Sequence, residues 1–194
     1  MFGTTTEFYP TPALVIKQML APFIKTYKNK WNSEDEFFSF KGKTILDPSA
    51  GAGDILDYLQ EKFKMQRCSM FAIELDSDLR YTLQGKNYRV IGTDFLEYDE
   101  PCRFDLILMN PPFSNGVHHV IKAWEVLEDG GNLVALLNSQ SLKNPNSKTK
   151  EYLLHLLATM IGKTFNAGKD LVDDLLLELL DNGVIEWLGS CFQN

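Results

Sequence analysis

Two hydrophobic rhythms alternate along the chain. Short apolar runs stand at Lys43-Thr44-Ile45-Leu46-Asp47, Met70-Phe71-Ala72-Ile73-Glu74-Leu75, Tyr88-Arg89-Val90-Ile91, Phe104-Asp105-Leu106-Ile107-Leu108-Met109 and Asn132-Leu133-Val134-Ala135-Leu136-Leu137. Each reads as a buried strand. Between them apolar residues recur at helical spacing, most plainly at Ile55, Leu56, Leu59 and Phe63, which predicts helices over Asp54–Phe63, 76–83 and 117–127. Asp129-Gly130-Gly131 marks the turn before the fifth strand.

The flanks are less regular. Residues 1–9 are polar and Thr-rich and read as an extended arm. Tyr9-Pro10-Thr11-Pro12 leads into a helix over 13–20, with Thr11 as its cap and Pro12 in its first turn. Leu14, Met19 and Phe23 are the expected core face, and Pro22 kinks or ends the helix. Residues 25–40 mix lysines, acids and aromatics and read as a helix tail and a loop, with Trp31, Phe37, Phe38 and Phe40 packing against the domain. Residues 139–150 form a polar loop carrying Lys143, Lys148 and Lys150. Helices are expected over 151–161 and 171–180, and a sixth strand over 184–188. Gly162-Lys163-Thr164 has the ending of a phosphate loop, but Leu157 stands where the first glycine belongs, so that reading is rejected.

Strands alternating with helices predict a single α/β domain built on a mainly parallel sheet with right-handed crossovers. It divides into an N-terminal arm and helix (1–40), a core (41–138) and a C-terminal stretch of loop, helices and possible last strand (139–194). In such a sheet ligands sit beyond the carboxyl ends of the strands. Asp47, Glu74, Asp94 and Asn110 each stand at or just past such an end. Pro48-Ser49-Ala50-Gly51-Ala52-Gly53 is a small-residue turn between strand and helix, which presents backbone N–H groups and a helix N-terminus to a ligand. In Asn110-Pro111-Pro112-Phe113, two prolines without an N–H stop the preceding strand. An amide enters the resulting stiff loop and an aromatic ring leaves it, an arrangement suited to holding a flat, amino-bearing ring by its edge and its face. Taken alone, the same residues would serve as an ordinary Asn-Pro turn.

Composition narrows this picture. The 194 residues suffice for one domain with a substantial core. No run of about 18 apolar residues predicts a membrane span, and the first nine residues lack the pattern of a signal peptide. Cys68, Cys102 and Cys191 are too far apart to suggest a zinc knuckle or a disulfide framework, so reduced thiols in a cytoplasm and no bound metal are expected. The net charge of −7 argues against a self-sufficient nucleic-acid binder, while leaving room for a locally basic cleft.

The ordered set of motifs over residues 5 to about 138 resembles the class I S-adenosylmethionine-dependent methyltransferases, in the branch that methylates the exocyclic amino group of adenine in DNA. Asp47-Pro48-Ser49-Ala50-Gly51-Ala52-Gly53 is similar to the cofactor loop of that family. Glu74, followed by Leu75, resembles its ribose-binding acid, Asp94-Phe95 its adenine-binding pair, and Asn110-Pro111-Pro112-Phe113 its catalytic motif. Tyr9-Pro10-Thr11-Pro12 is similar to the motif that precedes the cofactor loop in one sub-class. The resemblance implies a three-layer Rossmann-like fold, S-adenosyl-L-methionine as cofactor, and DNA with a flipped adenine as partner. Three departures stand out. Many members carry Tyr where this chain has Phe113. Most have a separate target-recognition region, for which nothing here is large enough, so a further region or partner subunit is expected. The family's sheet usually ends in an antiparallel hairpin, whereas this sequence stops at Asn194, which implies C-terminal strands that are incomplete or rebuilt.

The resemblance also assigns roles. The Asn110 side-chain oxygen and the Pro111 carbonyl accept the two amino hydrogens of adenine, and Phe113 stacks on the base. Gly51 and Gly53 let the backbone approach the methionine part of the cofactor; Ser49 and Asn110 line its site. Asp47 takes the ammonium group or caps the next helix. Glu74 accepts the ribose hydroxyls, and Asp94 accepts from the cofactor's adenine, with Phe95 stacking there or filling the core. Thr11 touches the cofactor carboxylate or remains a helix cap. His118 and His119 receive no role. Two rival readings remain: methylation of RNA adenine or of a protein glutamine amide, and a non-catalytic or incomplete cofactor-binding subunit that acts through a partner.

Overall fold

The computed structural model describes residues 9–28, 30, 34–137 and 189–190. The chain opens with α1 (Ala13–Leu20), a 3-10 turn at Ala21–Phe23, and a hairpin of β1 (Ile24–Lys28) and β2 (Glu34–Phe38). Strands and helices then alternate: β3 (Ile45–Asp47), α2 (Asp54–Phe63), β4 (Met70–Ile73), α3 (Ser77–Gly85), β5 (Arg89–Gly92), β6 (Phe104–Met109), α4 (Gly116–Glu125) and β7 (Leu127–Ala135). A two-residue β8 (Gly189–Ser190) pairs with β7.

The main sheet has the order β5-β4-β3-β6-β7-β8. The first five strands of that order are mutually parallel, and β8 is antiparallel. This is the α/β architecture on a mainly parallel sheet that the alternation of strands and helices predicts, and the three-layer Rossmann-like fold that the resemblance implies. Sequence order runs outward from β3 to β5 on one side and from β6 to β7 on the other. The reversal between β3 and β6 is therefore a topological switch point, where the loops diverge and leave a crevice.

Side-chain alternation along the strands builds two cores. Ile45, Met70, Ala72, Leu106 and Leu108 face one layer, with Ile16, Met19 and Leu20 of α1, Ile55, Leu56 and Leu59 of α2, and Leu83 of α3. Leu46, Ile73, Ile107 and Met109 face the other, with Val120 and Ala123 of α4. Burial on both faces explains why these strands read as continuous apolar runs. α3 begins at Asp76, whose Oδ1 accepts from the N–H groups of Asp78 and Leu79.

Several expectations are corrected. Residues 25–40 form no helix tail: β1 and β2 pair antiparallel, from Ile24 opposite Phe38 to Lys28 opposite Glu34. Two contacts with α2 anchor the hairpin: Glu36 pairs with Lys62 at 3.1 Å, and Phe38 stacks on Phe63 at 5.1 Å. Phe37 is exposed instead of packed against the domain. In α1, Leu14 is 70% exposed, because the buried stripe runs through Ile16, Met19, Leu20 and Phe23. The residue at the cap of α1 is Pro12, and Thr11 makes no side-chain cap. α4 stops at Glu125, and β7 starts at Leu127 opposite Phe104, passing through the left-handed Gly130 with a register shift. The arm over 1–8, Trp31, the loop over 139–150, the helices over 151–161 and 171–180 and the strand over 184–188 lie outside the described residues.

Between β3 and β6 the packing is locked by a polar latch. Asp105 Oδ2 accepts from Thr44 N–H and Oγ1–H, both at 2.8 Å, and Oδ1 pairs with Lys43 at 3.2 Å. Partial burial works against the charge of Asp105, but the Thr44 bonds and the Lys43 ammonium outweigh it and hold the carboxyl below the usual range. A depressed pKa contributes stability that is complete above the unfolded-state value and lost as pH falls through the folded one. Asp105→Ala is therefore expected to cost about 1–2 kcal/mol at pH 7, a difference that shrinks below about pH 4; urea unfolding across that range measures both.

Candidate active site

The crevice at the switch point opens into a cleft of about 940 Å³, mouth included. Its floor is the carboxyl ends of β3, β4 and β6. Thr11, Asp47, Ser49, Gly51, Glu74, Leu75, Asp94, Phe95, Asn110 and Pro112 all line it, so residues separated by up to about a hundred positions in sequence meet around one space.

The glycine turn is folded by its own backbone. Gly53 N–H donates to Ala50 O at 2.8 Å, and Ala50 N–H donates across to Ile73 O at 3.1 Å. Gly51 has φ +55° and Gly53 φ +95°, left-handed values that suit glycine. Glu74 closes the turn from β4: its Oε2 accepts from Gly51 N–H at 2.7 Å and its Oε1 from Asp76 N–H at 2.9 Å. On the far side Lys86 Nζ donates to Ala52 O at 2.7 Å and pairs with Asp57, which also accepts from Tyr88 Oη at 2.7 Å.

Asp47 is the electrostatic centre of the cleft. It is 1% exposed, and its Oδ1 receives a long 3.3 Å bond from Ser49 N–H. Burial, with Glu74 and Asp54 nearby, pushes its pKa up to about 8 against that single bond. Such a carboxyl calls for a cation. Beside it, Ser49 Oγ is buried with no hydrogen-bond partner among the described residues. A cationic amine and a polar neighbour would satisfy both. At the other end, Asp94 Oδ1 accepts from Leu96 N–H at 2.9 Å. Phe95, 2% exposed, is a core residue whose ring lies 5.9 Å from His119 while still reaching the cleft.

At the β6 end, Asn110 Nδ2 donates to Thr11 Oγ1 at 3.1 Å and reaches the Tyr9 carbonyl at 3.4 Å. Thr11 N–H donates to Asp54 Oδ2 at 2.9 Å. Phe113, 41% exposed, stacks on Tyr9 with centroids 5.1 Å apart and planes at 28°. Pro112 O accepts from Asn115 N–H, tightening the loop into α4.

Three expected site residues do not line the cleft. Gly53 turns towards the core: a Cβ there would meet Leu83 Cδ2 at 3.0 Å. Pro111 is buried, and Phe113 stands at the mouth against Tyr9. Conversely, Tyr9 and Asp54, assigned no site role from the sequence, and His119, considered there and given none, line the cleft. His119 falls on the buried stripe of α4 with Val120 and Ala123, a spacing that could have revealed it. Its Nδ1 lies 3.0 Å from Asn115 O, which only accepts, so Nδ1 carries the proton. Burial keeps its pKa low.

A doubly wound sheet with a glycine turn, a buried acid and an amide at adjacent strand ends around the switch point is the architecture of a Rossmann-like methyltransferase. The chain belongs to the DREV methyltransferase family, whose model matches residues 14–164. It is similar to modification methylase CviBIII of Paramecium bursaria Chlorella virus NC1A, 31% identical over 56% of this chain and 30% of the viral protein. It is also similar to type II methyltransferase M.CvrRI of Paramecium bursaria Chlorella virus XZ-6E, 29% identical over 41% of this chain and 21% of that one. The match thus spans less than a third of either relative's length. A crystal structure of a candidate RNA methyltransferase from Pyrococcus horikoshii shares the fold, with a TM-score of 0.51 at 18% identity over 77% of this chain and 69% of the other. The cofactor is S-adenosyl-L-methionine, and the cation-seeking Asp47 and orphaned Ser49 Oγ fit its amino-acid end. Among the described residues no group of His, Cys, Asp or Glu side chains is disposed to hold a metal ion, and no helix is long and apolar enough to cross a membrane.

The raised pKa of Asp47 has a measurable sign. Between about pH 4 and about pH 8 the folded protein holds a proton on Asp47 that the unfolded chain has released. Stability of the ligand-free protein should therefore fall as pH rises through that window, by up to about 1.4 kcal/mol per pH unit from this group. Asp47→Asn should remove that part of the slope. Parallel urea-unfolding series from pH 5 to 9 test this, and identical slopes in the two proteins would refute it.

Proposed function

We propose that this chain is the catalytic part of an S-adenosylmethionine-dependent methyltransferase that acts on the exocyclic amino group of adenine in DNA. The observation that carries the reading is the junction of two half-sites: Asn110-Pro111-Pro112-Phe113 opens at the end of β6, directly beside the β3 end with its glycine turn and Asp47. The similarity to two proteins named as modification and type II methyltransferases favours the same substrate class.

In this reading the adenine nitrogen is a poor nucleophile because its lone pair is delocalised into the ring. Asn110 Oδ1 accepts one of its two hydrogens, which draws the nitrogen towards tetrahedral and frees the lone pair; the Pro111 carbonyl, the acceptor that the family resemblance gives for the other, belongs to a residue that does not line the cleft in the ligand-free chain. Preorganised acceptors of this kind cost no reorganisation during reaction. When bound, the cofactor would supply an electrophilic methyl group; the lone pair freed by Asn110 would accept it, and the amine, made acidic by methylation, would release its proton to water. Asp47 holds the cofactor's ammonium group and Ser49 its polar neighbour. Gly51 presents the turn, Glu74 receives the ribose hydroxyls alongside its two backbone bonds, and Asp94 and Leu75 border the adenine with Phe95 behind. Phe113 takes the flipped base on the face of its ring opposite the one that Tyr9 stacks on.

One observation favours a second reading. No Lys or Arg lines the cleft among the described residues, whereas four acids do. Lys143, Lys148 and Lys150, which would supply a basic rim, lie outside the described residues. A protein glutamine amide would need no such rim, and RNA adenine would need it as DNA does. Recognition of DNA would then fall to a further region or a partner subunit.

Transfer of labelled methyl from S-adenosylmethionine to unmethylated DNA, RNA and a glutamine-containing peptide, followed by nucleoside analysis, separates these. N6-methyladenine in DNA is expected; label confined to RNA or peptide would overturn the reading. Asn110→Ala should lower kcat by about a hundred-fold or more while leaving the cofactor Kd nearly unchanged in calorimetry. Glu74→Ala should raise that Kd by about ten-fold or more, for the loss of charge-assisted bonds. An unaltered Kd would remove Glu74 from the ribose site.

A further inference from the structure

Asn110 carries two opposite ends on one planar group: Oδ1 accepts and Nδ2 donates. The proposed reaction needs Oδ1 towards the target amine. Half a turn about the last side-chain bond would present Nδ2 instead and set donors against donors. That torsion is broad for Asn, so rotamer preference alone does not fix the choice.

In this chain the choice is made by a segment 99 residues upstream. Nδ2 donates to Thr11 Oγ1 at 3.1 Å and points to the Tyr9 carbonyl at 3.4 Å. A carbonyl only accepts, so the Tyr9 contact requires the amino end of Asn110 on that side and leaves Oδ1 on the other. Thr11 is itself held. It is 8% exposed, and its N–H donates to Asp54 Oδ2 at the first residue of α2. Tyr9 is fixed to the same loop by its stack on Phe113. The hydroxyl of Thr11 is not used by α1, whose cap residue is Pro12.

We propose that Thr11 is a positioning residue for the methyl-transfer site: its Oγ1, with the Tyr9 carbonyl, locks the Asn110 carboxamide in the orientation that turns Oδ1 to the substrate amine. The proposal rests on Asn110 being the acceptor for that amine. It gives the Tyr9-Pro10-Thr11-Pro12 segment a task at the target half of the cleft, distinct from cofactor contact or helix capping. Because Thr11 is anchored on α2, which follows the glycine turn, the orientation of Asn110 is tied to the folded state of the cofactor loop.

Two readouts test it. The first needs no substrate. In 15N-labelled protein the Asn110 side-chain NH2 cross-peaks are assigned by their loss in Asn110→Ala. In wild type and Thr11→Ser these hydrogens should be protected from exchange, and in Thr11→Val they should exchange at least about ten-fold faster, for loss of the bond. Equal exchange in wild type and Thr11→Val would overturn the proposal. The second uses unmethylated DNA and labelled S-adenosylmethionine. Thr11→Val should lower kcat by about ten-fold or more, with the cofactor Kd shifted by less than about three-fold, and Thr11→Ser should restore kcat. An unchanged kcat, or a Kd that rises in step with the loss of kcat, would overturn the positioning role. Absence of transfer by the wild type would sink the DNA reading, and the exchange measurement would then decide the orientation of Asn110 by itself.

Discussion

Everything in the cleft depends on the reversal of strand order between β3 and β6. Adjacent parallel strands normally send their following loops the same way, and those loops pack together. Here the chain leaves β3 towards β4 and leaves β6 towards β7, so the two loops part and a gap opens above the shared edge. Hydrogen bonding between the strands sets the spacing of that gap: Ile45 and Leu46 pair with Leu106 and Ile107. Asp47 follows directly on those pairs, and Asn110 stands three residues beyond Ile107, just past the end of β6. The burial of Asp47 is a consequence of the same geometry, because the last residue of a central strand has neighbours on both sides and a turn folded over it.

A glycine turn is only useful if it is rigid, and this one is gripped from both sides. Glu74 bonds the N–H of Gly51 from within the cleft, while Lys86 bonds the carbonyl of Ala52 from behind. Lys86 is fixed in turn by Asp57, and Asp57 by the hydroxyl of Tyr88. Burial, together with the bond to Asp57, drives the Tyr88 phenol well above its usual pKa, so it remains a donor at any working pH. Gly53 completes the arrangement by letting Leu83 and Tyr88 pack where a side chain would stand. Two glycines of one motif thus do different things: Gly51 faces the cleft and Gly53 permits the packing that holds the turn.

The central strands were legible because both of their faces are buried, which leaves unbroken apolar runs such as Leu106–Met109. Strand-end acids were legible because polar residues that end apolar runs are conspicuous. The hairpin was not, since its strands alternate only weakly and its anchors, Glu36 on Lys62 and Phe38 on Phe63, join residues more than 20 positions apart, which composition cannot distinguish from a solvated loop. Leu14 was misplaced by reading single apolar residues in place of the i, i+3, i+4 stripe at Ile16, Met19 and Leu20. The contact of Thr11 with Asn110 had no local signature at all. Thr11 stands before a helix like any cap, and only the folded chain shows its hydroxyl turned to a loop at the far end of the core.

The cleft's charge has a direct consequence for what it holds. Asp47, Asp54, Glu74 and Asp94 line it with no Lys or Arg beside them among the described residues. Desolvated acids without partners cost free energy, and Asp47 escapes that cost when ligand-free by remaining protonated. An ammonium group held beside it would reverse the balance, letting the acid ionise so that a buried ion pair stood where a neutral acid had been. An acidic wall that suits a cationic cofactor repels a polyanion. On the proposed reading the two demands fall on different surfaces: a nucleic-acid backbone would be received outside this cleft, with only an uncharged base reaching in past Tyr9 and Phe113.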